Sequence, residues 1–370
     1  MVLQKTPMPD HRYLHALRLV PHIGPKTLAA LIDHFGDAEA AWHATDLSGC
    51  SISEKAKTSL RNARHTVDPD AEWETLQTHA IRLLARTDAE YPRLLKEIPD
   101  APYVLYARGS YTFDPKPLIT IVGSRQLTDY GERVTRTLAT DLVRAGCGVV
   151  SGLAFGIDAV AHRAALEAGG ETIAVLGNGL DDASIAPQSH LSLAHAILPH
   201  GALLSEYPLG TKAETFTFPA RNRIMAGMSL GTVVVEAAEG SGTLITARLA
   251  LDYNREVFAV PGSIFSSVSV GTHRLIKEGA VLVASVRDIL EALPLARASA
   301  DPAAPDASAA RASLSPDEAC VFALLSREPL HIDNIAKLSK LGTSQVNSLL
   351  ALMEIQGIVR NIGGMNYIKM

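Results

Sequence analysis

Positive charge, cysteine and unbroken apolar sequence are all in short supply in this chain, and each shortage excludes something. The 34 Lys and Arg fall short of the 39 Asp and Glu, leaving a formal net charge of -5. No global field draws such a protein to nucleic acid, so any binding of that kind must come from a local patch. The three cysteines (Cys50, Cys147, Cys320) are far apart and lack a C-x-x-C spacing. That argues against a disulfide framework or zinc site and predicts three buried thiols in a reducing compartment. No apolar run approaches the roughly 20 residues of a membrane span, and the first 15 residues lack a signal-peptide core. A soluble, cytoplasmic protein with no membrane partner is expected. Also missing are G-x-x-x-x-G-K-[ST], H-E-x-x-H and G-x-S-x-G. No catalytic residue, metal or cofactor is therefore expected, and the protein is not read as an enzyme.

What is present is a globular composition, 47% hydrophobic and 20% charged over 370 residues, enough for two or three domains. Residues 1–70 read as short helices: Leu28, Leu31, Ile32 and Phe35 recur at helical spacing, Gly36 stops that helix and Asp37 caps the next. Ile23-Gly24-Pro25-Lys26 before the amphipathic stretch suits a SAM-like or helix-hairpin-helix-like domain, or a plain bundle that turns at Gly24. From Leu118 onward, apolar runs without inside-outside alternation are interleaved with amphipathic patterns. That is the signature of strands buried on both faces and predicts α/β architecture, a doubly wound Rossmann-type parallel sheet over 71–294. Residues 295–314, dense in Ala, Pro, Ser and Asp, read as a linker. Residues 315–370 open with Ser315-Pro316-Asp317-Glu318, a helix cap, and close with two strands around Gly363-Gly364. A winged-helix-like domain is expected, and its charge balance favours protein contact over duplex reading.

In a sheet of this kind ligands sit at the carboxyl ends of the strands, so the loops there carry the candidates. Phe218-Pro219-Ala220-Arg221-Asn222-Arg223 joins an aromatic face, which stacks on bases, to two forked guanidiniums and an amide. The helix behind them starts at Asn222 in this reading. Gly123-Ser124-Arg125 adds close backbone approach, a hydroxyl and a third guanidinium. These seven positions (Gly123, Ser124, Arg125, Phe218, Arg221, Asn222 and Arg223) are expected to meet as a nucleic-acid pocket, with Lys212 either a further cation on its rim or simply solvated. Gly152 and Gly156 before one helix, Gly177 after a strand, and Gly240-Ser241-Gly242-Thr243 before another helix are candidate phosphate-cradling loops or simple turns. Asp158 and His162, four apart, are either an acid–imidazole dyad or a helix-start carboxylate beside a separately partnered histidine.

Taken in order, Val122-Gly123-Ser124-Arg125, Ser151-Gly152-Leu153-Ala154, Gly156-Ile157-Asp158, Leu204-Ser205-Glu206-Tyr207-Pro208, Phe218-Pro219, Arg221-Asn222-Arg223-Ile224, Ser241-Gly242-Thr243-Leu244-Ile245-Thr246-Ala247 and Val260-Pro261-Gly262 resemble the DNA-processing protein A (DprA, or Smf) family. The resemblance implies an extended Rossmann-type sheet that binds single-stranded DNA with little sequence preference. It further implies protection of incoming DNA in natural transformation, loading of a RecA-type recombinase onto strands covered by single-strand-binding protein, and a homodimer. The alternative is an enzyme of the related Rossmann superfamily, a nucleoside-monophosphate phosphoribohydrolase. Such enzymes carry Pro-Gly-Gly before Gly-Thr and a following Glu, both missing around Gly242-Thr243.

Overall fold

Residues 11–113, 116–293, 315–326, 330–355, 358–361 and 364–369 are described by the computed structural model of the chain. They fall into two units, residues 1–295 and 296–370. Among the described residues the first unit opens with five helices, α1 (His11–Leu19), α2 (Pro25–Phe35), α3 (Ala38–His43), α4 (Glu54–Ala63) and α5 (Pro69–Thr78). Their ends follow the sequence signals: the Gly36 amide donates back to Ile32 O at 2.8 Å, and Asp37 accepts from the Ala40 amide at 2.7 Å. The expected domain boundary at residue 70 does not separate two units. Leu14, Leu17 and Leu28 share one core with Tyr106, Leu176 and Leu203 of the sheet.

The sheet has nine strands: β1 (Ile81–Ala85), β2 (Val104–Gly109), β3 (Leu118–Val122), β4 (Gly148–Ser151), β5 (Thr172–Leu176), β6 (Gly201–Ser205), β7 (Gly231–Val234), β8 (Glu256–Ala259) and β9 (Val281–Leu282). Their spatial order is β1-β2-β6-β5-β4-β3-β7-β8-β9. Strands β3 to β9 are parallel, as their apolar runs predict, while β2 pairs antiparallel with both β1 and β6. The chain winds outward from β3 to β6, returns to β3's other flank with β7, and continues to β9. The reversal lies between β3 and β7.

Crossover helices cover both faces. Ile119 and Ile121 of β3 pack with Leu138 and Leu142 of α7 (Asp129–Arg144) and Ala161 of α8 (Ile157–Glu167). Leu118 and Val122 point the other way, into a core with Ile224, Met225 and Met228 of α10 (Thr217–Met228) and Ala247 of α11 (Gly242–Asp252). This alternation between two buried faces explains why the strand sequences show no polar side. Among the described residues, the other α-helices of the unit are α6 (Arg93–Lys96), α9 (Leu191–Ile197), α12 (Val270–Lys277) and α13 (Val286–Ala292).

The second unit holds α14 (Pro316–Leu324), β10 (Leu330–His331), α15 (Ile332–Ser339), α16 (Thr343–Ile355), β11 (Val359–Asn361) and β12 (Asn366–Lys369). Its strands pair in the order β10-β12-β11, and Val321, Ile335, Val346, Leu350 and Met353 close its core. Ser315 and Glu318 form a reciprocal capping box at the start of α14, as the Ser-Pro-Asp-Glu sequence signals. The expected linker and the turn residue Gly363 lie outside the described residues. Cys50 and Cys147 are buried as expected, but Cys320, in α14 beside the buried Val321 and Phe322, is exposed. Among the described residues no helix is long and apolar enough to cross a membrane, and no cluster of three metal-ligating side chains occurs.

Candidate nucleic-acid interface

Where the winding reverses, the loops after β3 and β7 part and leave a crevice, the place where open α/β sheets receive ligands. A cleft of about 580 Å³ occupies this position. It is lined by Gly123, Ser124 and Arg125 from the loop after β3, Ala154 and Asp158 from the start of α8, Phe218, Arg221 and Asn222 from α10, and Gly240 to Thr243 before and within α11. Two stretches about 100 residues apart in sequence are thus brought together. The Arg125 guanidinium lies over the Phe218 ring at 5.2 Å from its centroid, within cation–π range. Thr243 Oγ1 donates to Gly123 O at 3.2 Å and ties the two loops to each other.

The helix carrying Phe218 starts at Thr217, five residues earlier than its sequence pattern suggests, with Pro219 in the first turn where no amide donor is required. Successive helical residues point about 100° apart, so Arg221, Asn222 and Arg223 do not share one direction. Arg221 turns inward and is 4% exposed. Its Nη1 donates to Gly152 O and Val175 O, both at 2.5 Å, and its Nε donates to Asn222 Oδ1 at 3.2 Å. The guanidinium lies so close over Gly152 that a Cβ there would stand 1.9 Å from Nη1. Arg223 turns away from the cleft. Its Nη2 pairs with the buried Glu206 carboxylate at 2.5 Å and its Nη1 donates to Asp100 O at 2.7 Å. The structure therefore gathers six of the seven expected contact residues around one cavity and sends Arg223 to a buried ion pair. Lys212 is exposed and does not line the cleft.

The candidate cradle loops divide in the same way. Gly240, Ser241, Gly242 and Thr243 line the cleft. Ser241 caps α11 by accepting from the Thr243 amide at 3.3 Å, which turns a helix N-terminus toward the cavity. Gly152, Gly156 and Gly177 do not line it; they permit close packing. A Cβ at Gly156, whose φ is +75°, would fall 2.2 Å from Ser124 O, and one at Gly177 would meet Thr217 Oγ1 at 2.9 Å. Ser124 Oγ is engaged within its own loop, donating to Gln126 O at 2.7 Å.

Asp158 and His162 form no dyad. The Asp158 carboxylate accepts from the amides of Gly152 and Ala154 at 3.1 and 3.4 Å. Burial raises its pKa, against the opposing pull of Arg221. His162 is fully buried with Nδ1 2.7 Å from Thr172 Oγ1, and burial drives its pKa down to about 3. Burial also lowers the Arg221 pKa, opposed by Asp158, though a guanidinium stays charged throughout.

Two residues that organise the site escaped the sequence reading. Glu236, just past β7, accepts from Thr128 Oγ1 and the Thr128 amide and so fixes the start of α7. Glu206 anchors Arg223. Glu206 lies in a motif quoted above and Glu236 follows the apolar run of β7, but a lone Glu after an apolar run does not announce its partner.

The family model for the DNA recombination-mediator protein A matches residues 82–294, and that for the DprA winged helix domain matches residues 288–365. Protein Smf of a Synechocystis strain is 35% identical, over 97% of this chain and 98% of its own. The DNA processing protein DprA of Bacillus subtilis is 45% identical, over 58% of this chain and 72% of its own. Among solved structures, DNA processing protein A of Streptococcus pneumoniae superposes with a TM-score of 0.65 at 34% identity, covering 76% of this chain and 98% of that one. DNA processing protein A of Helicobacter pylori, whose structure concerns its single-stranded DNA binding mode, gives a TM-score of 0.50 at 28% identity, covering 57% and 94%. By these matches the chain belongs to the DNA recombination-mediator protein A (DprA/Smf) family.

Proposed function

We propose that this protein binds single-stranded DNA in the cleft between the β3 and β7 loops and acts on it as a mediator of recombination, without catalysing a reaction. The observation that carries the reading is the Arg125–Phe218 pair, a stacked cation and ring at the mouth of a crevice ringed by Ser124, Asn222 and the α11 N-terminus. An aromatic face accepts any base, an exposed guanidinium holds the adjacent phosphate, and a helix N-terminus favours the negative charge. None of these groups reads a base edge, so little sequence preference is expected. Arg221 contributes as a buried positive charge beneath the strand, with its donors largely committed to carbonyls.

Support for the wider role comes from the family and from the likeness to the Helicobacter pylori protein. Protection of incoming DNA in natural transformation, loading of a RecA-type recombinase onto strands covered by single-strand-binding protein, and homodimerisation belong to this same reading. The deciding experiment is a titration of the full chain with single-stranded and duplex oligonucleotides at several salt concentrations. Tight binding of the single strand that weakens steeply as salt rises is expected. Equal or stronger duplex binding, or release of free base from nucleoside monophosphates, would overturn the proposal.

A further inference from the structure

Two exposed aromatic rings belong to residues directly beside ones that line the cleft, at positions where a protein surface ordinarily carries polar side chains. Phe155 is 50% exposed and Phe216 is 66% exposed. Each is bracketed by residues that line the cavity: Phe155 by Ala154 and Asp158, Phe216 by Thr215 and Phe218. Exposed apolar area continuous with a binding cleft signals a ligand surface.

The loop bearing Phe155 is held at several points. The amides of Gly152 and Ala154 are fixed on Asp158, Leu153 is in the left-handed region at φ 56°, and the Ile157 amide donates to Ser124 O at 3.1 Å. The ring itself is backed by His190, edge to face at 4.9 Å between centroids. His190 is in turn buried, with Nδ1 2.9 Å from Leu153 O. A supported ring of this kind presents its open face without losing much freedom on binding. Phe216 immediately precedes α10, whose next residue but one is the cleft's own ring, Phe218.

We infer that Phe155 and Phe216 are base-stacking platforms that carry the strand beyond the cleft. Each takes the exposed π-face of an unpaired base while the backbone follows the cationic mouth at Arg125. The inference rests on the reading of the cleft as a single-strand site and extends it to two residues beside its lining. The occupant is a nucleobase because these surfaces are rings without donors, continuous with a cation–ring pair, and every base offers a face whatever its sequence.

The test compares the full chain with Phe155→Ala and Phe216→Ala, and with the matching Trp substitutions, on two fluorescent probes. One probe is an oligothymidylate; the other is a strand of equal length with abasic sites at every position. Each Ala substitution is expected to weaken the oligothymidylate about 5- to 100-fold, with the salt slope unchanged and the abasic affinity close to that of the parent. The Trp variants should bind like the parent and lose indole emission as thymines stack. Parent-like oligothymidylate affinity in both Ala variants overturns the inference while leaving the cleft's assignment standing. So does an equal loss on both probes, which marks a scaffold role. A parent that binds neither probe overturns the proposed function itself.

Discussion

Replacing Gly152 with alanine is the sharpest probe of how the cleft is built, because the added carbon would meet a single side chain. Its ideal position lies 1.9 Å from Arg221 Nη1, 2.4 Å from Cζ and 2.6 Å from Nη2. Comfortable contact begins near 3.5 Å, so the guanidinium must retreat by roughly 1.5 Å. Both bonds from Nη1, each 2.5 Å long, end on carbonyls that cannot follow it. Hydrogen bonds to a charged group contribute about 1.5–3 kcal/mol each, and a buried cation left poorly compensated costs about 3–5 kcal/mol. Alanine also stiffens the unfolded chain, which offsets about 0.4–1 kcal/mol. A net loss of about 3–4 kcal/mol follows, a large share of the 5–15 kcal/mol typical of a domain. Urea unfolding followed by circular dichroism should show a lower midpoint with little change in slope. In an Arg221→Ala background the same substitution should cost far less, since the obstacle is gone. Parent-like stability of Gly152→Ala, or an undiminished cost without Arg221, would refute the assignment of Gly152 and Arg221 as an interlocked pair.

Arg223→Ala should destabilise by about 3–5 kcal/mol, because it strands a Glu206 carboxylate whose side chain is 5% exposed; the double variant Glu206→Gln, Arg223→Met should recover much of that in the same urea assay. Arg125→Ala should leave the unfolding midpoint within about 0.5 kcal/mol of the parent yet weaken oligonucleotide binding and reduce the salt slope by about 1, measured by anisotropy across salt concentrations. Stability should also fall with acid. Burial depresses the pKa of His15 to about 4 and of His162 to about 3, so between those values and 6.5 the unfolded chain binds protons that the folded chain does not. Stability is then full above pH 6.5 and declines as pH drops, by about 2 kcal/mol per histidine at pH 5. Urea midpoints from pH 7 to 5 test this, and His162→Gln should flatten the slope.

Much of this was legible in the sequence because strand burial and helix capping are local. The apolar runs from Leu118 to Val283 specify two-sided strands, and Ser315-Pro316-Asp317-Glu318 announces a cap that is present. The meeting of Gly123-Ser124-Arg125 with Phe218 follows from the winding rule, which places successive strand ends along one edge. What the pattern concealed was direction and partner. Tyr103-Val104-Leu105-Tyr106 reads as a strand leading into the sheet, but nothing local says that β2 runs antiparallel between β1 and β6. Arg221 and Arg223 look alike as residues, and only the helix starting at Thr217 sends one beneath the cleft and the other to Glu206. Pro219 taken as a first-turn residue implies a 3.6-residue turn that separates them.

The helices at the amino end are not a severable accessory. His15 Nδ1 lies 3.0 Å from the hydroxyl of Tyr106 in the middle of β2, and Arg18 donates to Glu206 O, on the same residue that grips Arg223. A chain begun at residue 71 would therefore unroof β2 and loosen the back of α10, and with it the ring and amide that α10 offers to a ligand. The winged-helix unit closes a core of its own. The amino-terminal helices instead share their core with the sheet, so a change there reaches α10 through Arg18 and Glu206.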